Sequence, residues 1–368
     1  MLNIAFTGGG TGGHIYPGLA VAEKLKNLST EYRIFWVGSN SGRDRSIVEN
    51  ADLEFFGIPS GKLRRYFSLK TIPDAFRVAA GFFAARKILK KQKAGILFSK
   101  GGFVSVPPCA AAASLGIPVC THESDFSPGL ATRLNLRFVR KTGGRVFTSY
   151  ADTARFMPAF TEMITVSGNP VRSVFRSADP ARGRAFLGIG PEERVLFVLG
   201  GSQGAKEIND LVCAALDDLC RHYTVVHQTG FGHGNLQRTK GYIPLPYINE
   251  DMPHVLAAAE LVMGRSGAGT VWEAAASGKP MILVPLSGSG TRGDQVENAL
   301  FFEKAGAAIV LTDGNETAEK LCGAVSALAE DPQKRRAMAA AAMRIGDLDG
   351  TTIIGDSINN FLRGKSWV

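Results

Sequence analysis

No apolar run in the sequence approaches the roughly 18 to 20 residues that a membrane-spanning helix requires. A secretory leader is not expected either, because Met1-Leu2-Asn3-Ile4-Ala5-Phe6 runs into a glycine loop instead of an apolar h-region. The expectation is a chain that stays in the cytoplasm. The five cysteines (Cys109, Cys120, Cys213, Cys220, Cys322) are odd in number and form no C-x-x-C pair, which argues against a disulfide framework or a zinc site. They are expected to be small buried apolar residues. The one D-x-D triplet, Asp347-Leu348-Asp349, lies far from either glycine loop, so no metal site is indicated. A nicotinamide site is disfavoured too. The first loop satisfies G-x-G-x-x-G at Gly8, Gly10 and Gly13, yet the following strand ends Trp36-Val37-Gly38-Ser39, without the Asp or Glu that would hold a ribose. No low-complexity tract interrupts the chain.

What is present fits a soluble globular protein: 368 residues, 45% hydrophobic and 20% charged. That length exceeds what one core usually serves, so two domains of about 150 to 200 residues are expected. Residues 2–6 read as an apolar strand, followed by a glycine loop and a helical stretch around Leu19–Leu25. Further strands are expected at Arg33–Val37, Phe55–Ile58, Gly95–Phe98, Pro118–Thr121 and Arg145–Thr148. The pattern restarts at Val195–Leu199, enters a second glycine loop, and continues with strands at Thr224–His227, Leu261–Met263, Met281–Val284 and Ala307–Val310. Helices at Gly269–Ser277 and Gln295–Ala305 lie between them. Such alternation gives an α/β chain of two similar domains with parallel sheets, jointed near residue 169.

Glycines after a strand allow close backbone approach and leave N–H groups at a helix start, where the dipole favours negative charge. His14 closes the first loop, Gly8-Gly9-Gly10-Thr11-Gly12-Gly13-His14. A position near a helix N-terminus disfavours imidazolium, so His14 is a candidate general base toward an acceptor hydroxyl; the competing reading is a helix-capping histidine. The second loop, Gly200-Gly201-Ser202-Gln203-Gly204-Ala205-Lys206, adds a hydroxyl, an amide and a cation suited to a diphosphate, or is a tight strand-to-helix turn. It lacks the G-K-[ST] ending of a P-loop. In Arg265-Ser266-Gly267-Ala268-Gly269-Thr270-Val271-Trp272-Glu273 a small-residue loop opens another helix. Glu273 there can accept two ribose hydroxyls, or is a dipole-compensating surface acid. Downstream, Asp294-Gln295 begins the next helix, with Gln295 able to meet sugar hydroxyls and Asp294 readable as an ordinary N-cap. Two such loops in two domains facing one cleft are the organisation of a two-domain transferase.

Charge is concentrated. Between Lys62 and Lys100 stand eleven Lys/Arg against one acid, Asp74, which accounts for the whole +9 of the chain. The segment 62–93 interleaves these charges with Tyr66, Phe67, Phe76, Phe82, Phe83 and Ile88, so it is amphipathic and suits anionic lipid head groups. A solvated helix face is the simpler reading. Nucleic-acid binding is not supported, because no recognised module accompanies the charge.

Several strings together carry a family likeness: Thr7–His14 with Tyr16-Pro17-Gly18, Ser99-Lys100-Gly101-Gly102-Phe103-Val104-Ser105, His122-Glu123-Ser124-Asp125, Gly168-Asn169-Pro170-Val171-Arg172, the Gly-Gly-Ser-Gln-Gly loop and Arg265-Ser266-Gly267-Ala268. In these, over nearly its full length, the chain resembles the MurG family. Those proteins are the UDP-N-acetylglucosamine:undecaprenyl-diphospho-muramoylpeptide N-acetylglucosaminyltransferases of bacterial peptidoglycan synthesis. The resemblance implies a GT-B fold of two Rossmann-like domains: an acceptor and membrane-associating domain at 1–168, a UDP-sugar donor domain at 169–345, and a last helix at 346–368 returning to the first. It implies inverting transfer of N-acetylglucosamine to the C4 hydroxyl of the muramoyl sugar of lipid I, without a cofactor, at the cytoplasmic face of the plasma membrane.

Carried over to this sequence, the resemblance assigns His14 as the base. Thr11, Gly12 and Gly13 would meet the sugar-phosphate end of the donor or the acceptor diphosphate. Arg172 and Ser202 would bind diphosphate, Ile248 would meet uracil through its backbone, and Ala268, Gly269, Thr270, Val271, Trp272 and Glu273 would hold the nucleotide. Gln295 would contact the transferred sugar, and Gly10, Glu123 and Asp125 would lie on the acceptor side. Asp125 stands where many relatives carry Asn, and an acid there repels a diphosphate unless it is protonated or paired. Three alternatives share parts of this pattern: a transferase for another glycolipid acceptor, a UDP-sugar 2-epimerase, and a non-catalytic lectin or scaffold. The acceptor-side strings oppose the first, the basic segment the second, and the joint presence of His14, Glu273 and Gln295 the third.

Overall fold

The computed structural model describes residues 2–40, 42–61, 71–200, 204–231, 236–288 and 292–367, with the side chains of 43, 71–73 and 75 left aside. The chain divides into two compact units, one of residues 1–172 with 349–368 and one of residues 173–348.

In the first unit the elements alternate strictly at the start: β1 (Leu2–Thr7), α1 (Tyr16–Leu28), β2 (Tyr32–Ser39), α2 (Gly42–Glu49), β3 (Glu54–Ile58), α3 (Thr71–Lys91), β4 (Ala94–Ser99), α4 (Val106–Ser114), β5 (Val119–Glu123), α5 (Leu130–Thr142), β6 (Val146–Thr148) and β7 (Ile164–Val166). The strands form one parallel sheet in the order β3-β2-β1-β4-β5-β6-β7. Runs such as Ile4-Ala5-Phe6 and Phe35-Trp36-Val37 are fully buried, as expected of strands covered by helices on both faces. Helix α3 turns Gly81, Ala85 and Leu89, spaced four apart, inward. Gly81 is needed there, since a Cβ would sit 2.4 Å from the carbonyl oxygen of Pro59.

The second unit contains α6 (Pro180–Leu187), β8 (Val195–Leu199), α7 (Lys206–Leu219), β9 (Thr224–Gln228), β10 (Tyr242–Leu245), α8 (Met252–Ala258), β11 (Leu261–Gly264), α9 (Ala268–Ala276), β12 (Met281–Leu283), α10 (Asp294–Lys304), β13 (Ala308–Val310), α11 (Ala318–Glu330) and α12 (Pro332–Gly346). Its parallel sheet runs β10-β9-β8-β11-β12-β13. Leu196 and Val198 of β8 pack with Ile208, Val212 and Leu219 of α7 and with Leu321, Val325 and Leu328 of α11.

The last helix, α13 (Gly350–Leu362), belongs to the first unit. Asp349 caps it, accepting from the N–H groups of Thr351 and Thr352 at 3.2 and 3.3 Å. Ile354 and Ile358 are buried beside Ile15, Val21 and Leu25, each contributing about 1.5 to 3 kcal/mol. Residues 169–172, expected at the start of the second domain, also pack with the first: Val171 accepts from Thr351 Oγ1 at 2.7 Å, and the Arg172 guanidinium lies 5.1 Å from the centre of the Tyr16 ring.

Two strands escape the sequence reading, β7 and β10. Both are edge strands; β7 has three residues, and β10 contains Pro244, which an edge tolerates because one row of its backbone groups is not in the ladder. The cysteine expectation holds for Cys109 and Cys120 and fails elsewhere: Cys213 is exposed, and Cys220 and Cys322 are half-buried, because they lie on the outward sides of α7 and α11 or at a helix end.

Candidate active site

In each unit the strand order reverses at one point, between β1 and β4 in the first and between β8 and β11 in the second. Helices leave to opposite faces at such a point, so a crevice opens at the carboxyl ends of those strands. A glycine string follows each of these strands in the sequence: residues 8–13 after β1, Gly101-Gly102 after β4, 200–204 after β8 and Gly267–Gly269 after β11.

In the first unit a single 3-10 turn, Gly12–His14, precedes α1, closed by the His14 N–H donating to Thr11 O at 3.1 Å. His14 is half-buried, and its Nδ1 lies 3.2 Å from the carbonyl oxygen of Lys100. A carbonyl only accepts, so Nδ1 carries the hydrogen and the ring's lone pair is on Nε2. Thr11 and Gly13 are exposed. Gly10 is differently placed: its N–H donates to the buried carboxylate of Asp44 at 2.9 Å. That amide therefore does not face an incoming anion. Gly9 leaves room for the same carboxylate, since a Cβ there would lie 2.4 Å from Asp44 Oδ2 and displace it.

Glu123 is also a builder of the site. Its two carboxylate oxygens accept from the N–H groups of Asp125 at 3.1 Å and Gly129 at 2.9 Å, so it shapes the loop leading into α5. Asp125 is half-buried on that loop. Beneath it His122 is buried, with Nε2 at 3.0 Å from Gly168 O, and desolvation first and the Lys100 cation second hold it well below the usual imidazole range.

In the second unit Ser202 lies outside the described residues. Lys206, the cation of that loop, pairs with Asp210 one turn along α7. The helix is anchored from below by Asn209, which donates to Thr229 O and accepts from His227 Nε2, each at 3.0 Å, while Tyr242 Oη donates to His227 Nδ1 at 3.0 Å. Burial pushes the His227 imidazole down to about 4. A group whose folded pKa is depressed stabilises the fold fully above its unfolded value near 6.5, and that contribution disappears as the pH falls toward about 4. A loss of about 3 kcal/mol over that window is expected, and urea unfolding of the second unit at pH 7 and pH 4 measures it; His227→Gln is expected to flatten the dependence.

Helix α9 divides the expected nucleotide stretch by its own periodicity. Ala268, Val271 and Trp272 are buried, with the Trp272 ring edge-on to Phe302 at 6.1 Å, while Gly269, Thr270 and Glu273 are half-buried on the other side. The side chains of Val271 and Trp272 thus belong to the core. Around the N-terminus of α9, Arg265 joins three elements: it donates to Glu207 on α7 at 2.8 Å and to the carbonyls of Val284 and Pro285 at 3.1 and 3.2 Å. Ser266 Oγ donates to Gln295 O at 2.6 Å, and Gln295 Oε1 accepts from Leu286 N–H at 3.0 Å. The Gln295 amide is thereby oriented with its NH2 as the remaining group, a donor suited to sugar oxygens. Asp294 is the first helical residue, after Gly293 at φ +78°, and pairs with Arg292 at 3.0 Å. Ile248 is buried, its N–H donating to Gln228 Oε1 at 2.9 Å, so its other backbone group is the carbonyl. The sequence reading missed the roles of Asp44, Glu207 and Arg265; the acid opening α2 and the arginine between β11 and α9 were visible, but their partners were not.

Two α/β units, each with glycine loops and helix N-termini at the switch point of a parallel sheet, are the units of the GT-B fold. Residues 4–143 match the glycosyltransferase family 28 N-terminal domain and residues 195–351 its C-terminal domain. The UDP-N-acetylglucosamine–N-acetylmuramyl-(pentapeptide) pyrophosphoryl-undecaprenol N-acetylglucosamine transferase of Treponema denticola is 52% identical over 330 residues, covering 84% of this chain and 83% of its own length. The protein of the same description in Treponema pallidum is 43% identical over 372 residues, covering 98% and 96%. Among solved structures, MurG of Acinetobacter baumannii matches in fold with a TM-score of 0.72 at 23% identity, covering 98% of this chain and all of that one. The chain belongs to glycosyltransferase family 28 and, within it, to the MurG family.

Proposed function

We propose that the protein transfers N-acetylglucosamine from UDP-N-acetylglucosamine to the C4 hydroxyl of the muramoyl sugar of undecaprenyl-diphospho-muramoylpeptide, converting lipid I to lipid II. The observation that carries this reading is the 52% identity, over 84% of the chain, to a relative described by that transfer. The acceptor binds to the first unit and the donor to the second. His14 Nε2 takes the proton of the C4 hydroxyl as its oxygen bonds to the anomeric carbon; the bond from that carbon to the diphosphate breaks, UDP leaves with the electron pair, and the configuration inverts. The N-termini of α7 and α9 stabilise the charge that develops on the diphosphate. Ser202 and Arg172 add donors, and Thr11, Gly12 and Gly13 meet the sugar-phosphate end. Glu273 holds the ribose, the Ile248 carbonyl accepts the uracil imide N–H, and the Gln295 NH2 reads the sugar. UDP release by the purified protein tests the reaction: release that requires lipid I supports it, and release at the same rate without acceptor opposes it.

The protein works as a peripheral protein on the cytoplasmic face of the bacterial plasma membrane. Among the described residues no helix is long and apolar enough to cross a membrane. Support for surface attachment comes from α3, where Phe76, Ala80, Phe83, Lys87, Lys90 and Lys91 fall within one stripe about 100° wide and are all exposed. Phe76 and Phe83 are 73% and 69% exposed, an arrangement matched to an acyl boundary beside anionic head groups. Of the basic segment, Lys62, Arg64, Arg65 and Lys70 lie outside the described residues. Changing Lys87, Lys90 and Lys91 together to Gln is expected to weaken binding to anionic vesicles about 100-fold at low salt. Unchanged binding in a flotation assay would place the contact elsewhere.

A further inference from the structure

Lys100 is a member of the basic stretch by sequence and of the interior by position. It is 1% exposed, at the end of β4, directly under the loop that carries His14. Its ammonium donates to Ser124 Oγ, and that hydroxyl donates on to Asn169 Oδ1 at 3.0 Å. These partners are neutral, so they satisfy hydrogen bonds and leave the charge itself uncompensated. The compensating charge comes from Glu123 and Asp125, which flank Ser124 and both act on the Lys100 ammonium. Burial draws that ammonium down to about 8, and the two carboxylates pull the other way. Glu123 is fixed by the two backbone amides it accepts from. Asp125 is the acid on the acceptor-side loop.

The same residue reaches the candidate base. The Lys100 carbonyl is the acceptor for His14 Nδ1. The following Gly101 and Gly102 have φ of +86° and +76°, and a Cβ on Gly102 would lie 2.7 Å from Gly9 O and 3.0 Å from His14 Cδ2. The imidazole is thus seated on the backbone that Lys100 anchors, and small displacements of that backbone move the base.

We propose that Lys100, held at Ser124 between Glu123 and Asp125, is the internal counter-ion of these two acids, letting the second of them stand on the acceptor-side loop, and that through this cluster it is a positioning residue for His14. The proposal rests on the reading of the first unit as the acceptor side. If Lys100 served only as packing, its loss would be indifferent to the charge at position 125. The test is a double-variant cycle in the full chain with Lys100→Met, Asp125→Asn and both together. Acceptor kcat/KM, UDP affinity by calorimetry and melting temperature are measured for each. Lys100→Met is expected to lower acceptor kcat/KM about 100-fold through misplacement of the base, with UDP affinity within about twofold. Asp125→Asn added to it is expected to restore about tenfold or more. A double variant no more active and no more heat-stable than Lys100→Met overturns the proposal. Should the wild-type chain show no acceptor-dependent transfer, the reaction fails as a reading, while coupling between the two positions remains measurable in the melting temperatures.

Discussion

Replacing His14 by Ala is expected to reduce acceptor-dependent turnover by about 10²- to 10⁴-fold, the range for loss of a positioned general base, while UDP affinity stays within about twofold. The large effect follows from the tautomer. The Lys100 carbonyl holds the hydrogen on Nδ1, so the basic lone pair is on Nε2. The small effect follows from placement, because His14 belongs to the first unit, whereas Ile248 and Glu273, proposed to hold the uracil and the ribose, belong to the second. Ala at this position fits the 3-10 turn, whose closing bonds are between backbone groups at Thr11, Gly12, His14 and Ile15. Steady-state kinetics together with calorimetry separate the two effects. Near-normal turnover would leave His14 as a structural residue at the start of α1.

Glu273→Ala is expected to act in the opposite pattern, weakening UDP about 10- to 100-fold, as loss of hydrogen bonds to a charged group does. Glu273 is half-buried on the side of α9 away from Val271 and Trp272, so removing its carboxylate leaves the core contacts in place. Alanine is the strongest helix former, so the helix itself is not weakened by the change. The ribose assignment adds a sharper mark: the variant should lose discrimination between UDP and its 2′- and 3′-deoxy analogues. Equal affinity of variant and wild type for UDP would remove Glu273 from the nucleotide site.

The parts of this structure that were legible in the sequence are those whose signal is local. Strands buried on both faces appear as unbroken apolar runs, and Ile34–Val37 or Val195–Leu199 can be located from that alone. Glycine loops declare themselves by composition. β7 and β10 were hidden because three residues give no period and because Pro244 ordinarily marks a strand's end. At the site, the sequence presents Gly10 as an open amide and Glu123 as a substrate contact. The fold gives both to internal partners, Asp44 across 34 residues and the Gly129 loop. The nucleotide stretch 268–273 reads as one block, yet helical periodicity sends Val271 and Trp272 inward and leaves Gly269, Thr270 and Glu273 outward. Lys100 is the strongest case: its charge counts toward a basic surface in composition, and only the packing of β4 against β5 shows that it is buried beside two acids.

The most direct test of the transfer reaction is the mass and linkage of the lipid recovered after incubating the purified protein with UDP-N-acetylglucosamine and lipid I. One added N-acetylhexosamine in a β-1,4 linkage, formed together with one equivalent of UDP, is the expected result. Unmodified lipid with an epimerised or hydrolysed donor would contradict it.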